Sequence, residues 1–167
     1  MKDGYVCRTC GQYHPGLPLS YGVSAPALWF TIPEQERARR TLLASDTCII
    51  DEQHFFLMGN IDIPIIGLDQ CFQWTVWVSL SEANFDRSCD LWEQPGREAE
   101  PPYFGWLGIE LALYPSTLGL KTHVHTRPVG VRSFIEVEST DHPLALEQRN
   151  GITWERVEAI AEVILHG

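Results

Sequence analysis

Residues 72–81, near the middle of the chain, have the sequence "FQWTVWVSLS". β-Branched and aromatic side chains dominate it, which is typical of a strand. Every second residue from Phe72 to Val78 is apolar, and Trp77 adds a large apolar side chain on the opposite face. Apolar side chains on both faces predict a strand in the centre of a sheet rather than at its edge.

Five further strand-like runs lie on both sides of this stretch: "TCIID" (47–51), "HFFLMGNIDIPI" (54–65), "YFGWLGIEL" (103–111), "GLKTHVHTR" (119–127) and "SFIEVES" (133–139). The last run alternates cleanly, because Ile135 and Val137 point away from the side on which Phe134, Glu136 and Glu138 lie. Such alternation predicts a strand with one face exposed to water.

Four helical patterns accompany the strands: 31–45, 81–94, 141–151 and a last one from residue 153 onward. In the first, Pro33 lies in the opening turn, where a missing N–H costs nothing. Glu36 can pair with Arg40 four residues later, and Leu42 and Leu43 contribute to a narrow apolar stripe.

The helix starts carry capping residues. Ser81 is expected to cap the helix over 81–94, and Thr153 the last helix. At the third helix either Thr140 or Asp141 is expected to cap, with His142 in the first turn. The last helix has the clearest amphipathic pattern, with an apolar stripe that extends to its final turn.

A run of strands with helices on either side favours an α+β fold. We expect an antiparallel sheet of about five strands, with helices packed at its ends or on one face. The chain has 167 residues, which predicts a single domain over 1–167. Residues 1–26 are rich in Cys, Gly and Pro and show neither helical nor strand periodicity, so they predict an N-terminal Cys-X2-Cys knuckle packed on that domain.

Composition excludes several classes of protein. Apolar residues make up 44% of the chain and aromatic residues 11%, which excludes intrinsic disorder. The formal net charge of −10 disfavours nucleic acid and anionic membrane as partners and allows a basic protein partner. The sequence contains no run of eighteen apolar residues, so no membrane-spanning helix is predicted. The segment "MKDGYVCRTCG" lacks the apolar core of a signal peptide, so a cytoplasmic protein is expected. The sequence does not predict the oligomeric state.

The N-terminal segment contains "CRTCGQYH", residues 7–14. A redox couple of the thioredoxin type requires its first cysteine at the start of a helix, where the dipole lowers the thiol pKa. The sequence "GQYHPGLP" follows here, and its two glycines and two prolines prevent a helix. A redox couple is therefore disfavoured.

Cys7, Cys10 and His14 instead have the spacing Cys-X2-Cys-X3-His, which offers three ligands for a structural zinc ion. Gly11 allows a tight turn in which backbone N–H groups point at sulfur. Tetrahedral zinc needs a fourth ligand, and Cys48 is our candidate. Other residues that the fold could bring to the site are Cys71, His54, His123, His125 and His142. A water in the fourth position would make the site catalytic, and two reduced thiols in a packed turn are the alternative without metal.

A second motif, "THVHT", places His123 and His125 on one face of a predicted strand, where both can grip one metal ion. With His142 or Cys48 as a further ligand and Glu136 as a base, they would form the site of a metal-dependent hydrolase whose nucleophile is a zinc-bound water. In the other interpretation, His123 and His125 are simply exposed to water on the strand and bind no ligand. His142 is then only a residue in the first turn of its helix.

Several ordered segments of the chain resemble one known family: "CRTCGQYH", "SDTC", "FFLMGNIDIPI", "FQWTVWVSLSEANF", "PPYFGWLGIEL", "YPSTLGLKTHVH" and "DHPLALEQRNGI". Together they are similar to the bacterial domain of unknown function family 2199. The resemblance implies a single cytosolic bacterial domain with Cys7, Cys10 and His14 in an N-terminal knuckle, and it names no substrate. Where family members carry "FFVRG", this chain has "FFLMG", so Met58 replaces an arginine.

Two functions follow as hypotheses. The first is an acidic protein-binding module with a structural zinc knuckle, which recognises a basic protein as immunity proteins do. It is favoured because the sequence has no nucleophile elbow, phosphate loop or HExxH helix. The alternative is the metal-dependent hydrolase built on the His-X-His motif.

Overall fold

The computed structural model describes residues 4–166, so the first three residues of the predicted knuckle segment and residue 167 lie outside it. Within this range the strands are β1 (Tyr5–Val6), β2 (Tyr13–His14), β3 (Ser20–Gly22), β4 (Thr41–Leu43), β5 (Thr47–Ile50), β6 (His54–Pro64), β7 (Cys71–Leu80), β8 (Tyr103–Leu107), β9 (Lys121–His125) and β10 (Ser133–Val137). The helices are α1 (Ala27–Thr31), α2 (Glu34–Arg40), α3 (Glu82–Asp90), α4 (Pro143–Asn150) and α5 (Trp154–His166). The α+β class is confirmed.

Five strands close into a barrel. β6 and β7 form a long antiparallel hairpin, and β8, β9 and β10 follow as antiparallel neighbours. β10 then pairs in parallel with β6, where Ser133 lies opposite Gly59 and Phe134 opposite Asn60. The expectation of an antiparallel sheet of about five strands is therefore corrected in part, because the five strands form a closed barrel and one of its pairs is parallel. A twisted sheet of five strands loses its free edges when its first and last strands pair to form a barrel. Here the parallel pairing of β10 with β6 closes the barrel.

The remaining strands extend the sheet beyond the barrel. β5 and then β4 add to the first half of β6, and β3 pairs in parallel with β7. β7 thus has partners along both edges, which confirms the prediction that it is central. β1 and β2 form a separate two-stranded hairpin, so the prediction that residues 1–26 contain no strand is wrong.

The barrel interior is packed with apolar side chains, and two glycines let its strands approach closely. A Cβ atom on Gly59 would lie 2.5 Å from Cδ1 of Ile135, which is fully buried. A Cβ atom on Gly105 would overlap Val78 in the same way. Both glycines therefore mark places where one strand presses on the side chains of the next.

The outer face of β8, β9 and β10 is exposed. Phe104 and Trp106 of β8 are 41% and 47% exposed, and His123 and Glu136 lie on the same side of the next two strands. The inward-facing residues Val124, Ile135 and Val137 are buried. The predicted alternation of exposed and buried side chains along β10 is confirmed.

The helix predicted over 31–45 ends earlier, at Arg40. Thr41–Leu43 leave the helix to pair with β5, so Leu42 is 71% exposed and does not form an apolar stripe. Backbone hydrogen bonds to a neighbouring strand outweigh the weak helical propensity of these residues. The predicted pair of Glu36 and Arg40 is present at 3.6 Å.

The other helix ends agree with the sequence in most respects. The Oγ atom of Ser81 accepts a hydrogen bond from the backbone N–H of Asn84 at 3.1 Å, and Thr153 caps α5 in the same manner. The apolar stripe of α5 is buried only as far as Ala161, and Leu165 in the last turn is exposed. No helix among residues 4–166 is long and apolar enough to cross a bilayer.

Candidate metal centre

The Cys-X2-Cys motif lies in the turn of the N-terminal hairpin. β1 and β2 pair so that Tyr5 lies opposite His14, and their rings stack with centroids 5.3 Å apart. The backbone N–H of Cys7 donates to the carbonyl of Gln12, and the N–H of Gly11 donates to the carbonyl of Cys7. Gly11 has a φ of +72°, which the tight turn requires and which glycine adopts without strain.

The hairpin docks on the last helix, α5. Tyr5 and Cys7 are buried together with Ala161 in a small apolar cluster separate from the main core. The backbone N–H of Arg8 also donates to a carboxylate oxygen of Glu162 at 2.9 Å. These contacts bring the last turn of α5, which carries His166, against the two cysteines.

Four candidate ligands lie close together where the N-terminal hairpin contacts α5: Cys7, Cys10, His14 and His166. One ligand atom from each lies within 4.8 Å of all the others. Sγ of Cys7 is 3.1 Å from Nε2 of His166, and Sγ of Cys10 is 3.4 Å from Nε2 of His14. Bonds of about 2.3 Å to sulfur and about 2.0–2.1 Å to nitrogen give a tetrahedral S–N edge of about 3.6 Å, which is close to these separations, so the four side chains could hold a metal ion.

The electrostatics of Cys7 also suit a metal ligand. Burial by itself raises the pKa of this thiol, because it penalises the thiolate. The backbone N–H groups of Cys10 and Thr9, together with the side chains of Cys10 and His166, outweigh burial and lower the pKa to about 6. This lowered pKa favours the thiolate, which is the form that binds metal.

Cys48, the predicted fourth ligand, is not brought to this cluster. It lies on β5 in the main core and is fully buried, and burial raises the pKa of its thiol to about 11. Its side chain therefore stays protonated and behaves as a small apolar group. His166 stands in the position for which Cys48 was expected.

The alternative histidine site assembles only in part. His123 and His125 share the outer face of β9, as predicted, and both face Glu136 on β10. His142 is not with them. Its Nδ1 accepts from the backbone N–H of Leu144, and its Nε2 is 3.2 Å from two loop carbonyls, so this residue is itself the N-cap of α4. The expectation that Thr140 or Asp141 caps α4 is corrected accordingly.

His166 is the site residue that the sequence interpretation missed. The only local signal is a histidine in the last turn of an amphipathic helix, which is common without a ligand role. Its part in the cluster depends on the docking of β1 and β2 against Ala161, a contact across 154 residues or more that no local pattern encodes. Among residues 4–166, this is the one set of three or more His, Cys, Asp or Glu side chains that meets the mutual 4.8 Å distance.

A groove of about 310 Å³ runs beside the cluster, between the hairpin and α5. His14 and Tyr5 line one side, and Ile164 and Leu165 line the other. Ile164 and Leu165 are 44% and 54% exposed, so the end of α5 presents apolar side chains to solvent next to the four ligands.

The sequence model of a family described as "Uncharacterized protein conserved in bacteria (DUF2199)" matches residues 6–152. This range covers most of the chain and includes the first three candidate ligands, while His166 lies beyond it. No curated protein and no solved structure gives a significant match.

Proposed function

This chain belongs to the bacterial DUF2199 family, and we propose that it is a protein-binding module in which Cys7, Cys10, His14 and His166 hold a structural zinc ion. The observation that carries the proposal is the convergence of two thiol and two imidazole ligands from opposite ends of the sequence. The zinc ion fastens the N-terminal hairpin to α5.

A structural role is favoured over a catalytic one by the number of ligands. Two cysteines and two histidines complete a tetrahedral shell, whereas catalytic zinc sites keep one position for water or substrate. The hairpin also requires additional stabilisation, because each of its strands has only two residues and isolated hairpins are marginally stable at best. Its buried cluster with α5 contains three residues, Tyr5, Cys7 and Ala161, which is little apolar surface to hold it.

Elemental analysis of purified, dialysed protein tests the zinc ion directly. We expect one zinc per chain, and a loss of that zinc in Cys7→Ser and in His166→Ala. Cys89→Ser is the matched control, since Cys89 is a free thiol on α3 outside the cluster, and it should keep one zinc per chain. Wild-type protein without zinc, or a His166→Ala variant that binds zinc as tightly as wild type, would contradict the proposed site.

The protein-binding role is supported by charge and by the groove. The net charge is −10, and Glu158 and Glu162 lie on the same helix that presents Ile164 and Leu165 to solvent. An apolar groove on an acidic protein suits a basic, amphipathic segment of a partner protein, because its apolar side chains can be buried in the groove while its cations meet a negatively charged surface.

A pair of synthetic peptides tests this role, one of lysine and leucine with helical amphipathic spacing and one of lysine and serine with equal charge. We expect fluorescence anisotropy to show tighter binding of the leucine peptide, and Ile164→Glu to remove that preference. Leu42→Glu is the control, because Leu42 is an exposed leucine on β4, outside the residues that line the groove. Equal binding of both peptides, or equal losses in the two variants, would show that the groove is not the binding surface.

A further inference from the structure

The outer face of the barrel carries a second group of metal-ligating side chains, which the proposed zinc site does not use. It consists of His123 and His125 on β9 and Glu136 on β10. Val124, between the two histidines, and Thr122, just before them, are buried. Both imidazoles therefore point outward on the same side of the strand.

Strand register places the carboxylate between the two imidazoles. Glu136 is paired directly with His123 across the antiparallel ladder, and His125 is its diagonal neighbour. One oxygen, Oε1 of Glu136, lies 3.1 Å from Nε2 of His125 and 3.9 Å from Nδ1 of His123. The first distance is close to a ligand–ligand edge of a first-row metal ion, and the imidazole of His123 has to turn toward this oxygen before all three ligand atoms meet one ion.

Aromatic side chains on the neighbouring strands contact the two imidazoles. Phe104, opposite His123 on β8, makes an edge-on contact with that imidazole, with ring centroids 6.2 Å apart. Phe134, opposite His125 on β10, lies against the other imidazole at 5.7 Å. The two rings therefore flank the histidines on the outer face of the sheet.

We propose that His123, His125 and Glu136 form a second, solvent-open site for a divalent transition metal. Two imidazole nitrogens and one carboxylate oxygen select ions such as Ni²⁺ or Zn²⁺ over Mg²⁺ and Ca²⁺, which prefer oxygen ligands alone. The three side chains are 40%, 38% and 51% exposed, so the remaining coordination positions face solvent and take water or an external ligand. The negative net charge of the protein adds to the attraction for a divalent cation.

The site differs from the one proposed from the sequence, because the third ligand is Glu136 rather than His142 or Cys48, which lies buried in the main core. In that hypothesis Glu136 was a general base. Here it coordinates the ion directly, and the imidazole of His142 is occupied at the start of α4. The inference does not rest on the zinc site of the N-terminal hairpin, and the two can fail separately.

Calorimetric titration with Ni²⁺ alone tests the second site, in protein first given one equivalent of zinc. We expect one Ni²⁺ per chain in the wild type. His125→Ala and Glu136→Gln should weaken binding by at least about tenfold, the loss that follows even when an outer-shell partner of a metal ligand is removed. His54→Ala is the matched control, because His54 is an exposed histidine at the start of β6, and it should bind as the wild type does.

Titration of a Cys7→Ser/Cys10→Ser double variant with Ni²⁺ alone, with no zinc added beforehand, separates the two sites, and circular dichroism confirms that the barrel is folded. Retention of the Ni²⁺ site in this variant is the expected result. The inference is overturned if the wild type binds no Ni²⁺, if Glu136→Gln and His54→Ala behave alike, or if binding disappears together with the two cysteines.

Discussion

The substitution Gly59→Ala tests barrel closure, because Gly59 is where β10 meets β6. A Cβ atom at this position would lie 2.5 Å from Cδ1 and 2.7 Å from Cγ1 of Ile135, and 2.9 Å from the carbonyl oxygen of Ser133. Cδ1 can move by rotation, but the carbonyl oxygen belongs to the backbone of the strand that closes the barrel. The added methyl group therefore has to push β6 and β10 apart.

Two opposing effects set the magnitude. Overpacking a core costs about 1–3 kcal/mol, whereas replacing a glycine in a strand recovers about 0.5–1 kcal/mol of conformational entropy. We expect the steric cost to prevail because one of the three close atoms cannot rotate away. The net loss should be about 1–2 kcal/mol, which lowers the melting temperature of a chain of this length by about 2–8 °C.

Urea unfolding followed by tryptophan fluorescence measures this loss. Gly16→Ala is the matched control, because a Cβ atom on Gly16 would meet nothing within 4 Å, and its free energy of unfolding should change by less than about 0.5 kcal/mol. If Gly59→Ala proves as stable as Gly16→Ala, then β10 does not press on β6 and the closed barrel is wrong.

Three further outcomes are expected. His142→Ala should lower the free energy of unfolding by about 1 kcal/mol through loss of the α4 cap, whereas His142→Asn should keep most of it; equal losses in both would show that the cap is unimportant. Arg97→Met should cost at least about 2 kcal/mol in urea unfolding, because the buried guanidinium donates to four loop carbonyls that would lose their partner; a loss below about 0.5 kcal/mol would contradict this role. Hydrogen bonds from Arg87 and then from Tyr103 hold the pKa of Glu100 below its ordinary value, so its stabilisation is present above the unfolded-state pKa and is lost as the pH falls through the folded-state pKa. Urea midpoints measured against pH should therefore fall less steeply below about pH 5 in Glu100→Gln than in the wild type, and identical slopes would contradict the assignment.

Much of the secondary structure could be predicted because its causes are local. The alternation of β10 and the apolar faces of β7 follow from side chains within ten residues of one another, and the caps at Ser81 and Thr153 depend on hydrogen bonds that span three residues. The end of α2 was misplaced because Thr41–Leu43 have helical propensity in isolation. Their pairing with β5, across a turn, decides the outcome.

The barrel closure and the fourth ligand could not be predicted because they depend on distant contacts. β10 pairs with β6 over two register positions, some 74 residues apart, and neither strand carries a local sign of that partner. His166 reaches Cys7 across 159 residues. By contrast, Cys7, Cys10 and His14 have a spacing that a single tight turn brings together, and the structure does bring them together.

X-ray absorption at the zinc edge, on protein given one equivalent of zinc, identifies the ligands that hold the proposed ion. We expect two sulfur ligands at about 2.3 Å and two nitrogen ligands at about 2.0–2.1 Å, as Cys7, Cys10, His14 and His166 would provide. A shell made only of nitrogen and oxygen, or one with a single sulfur, would contradict it.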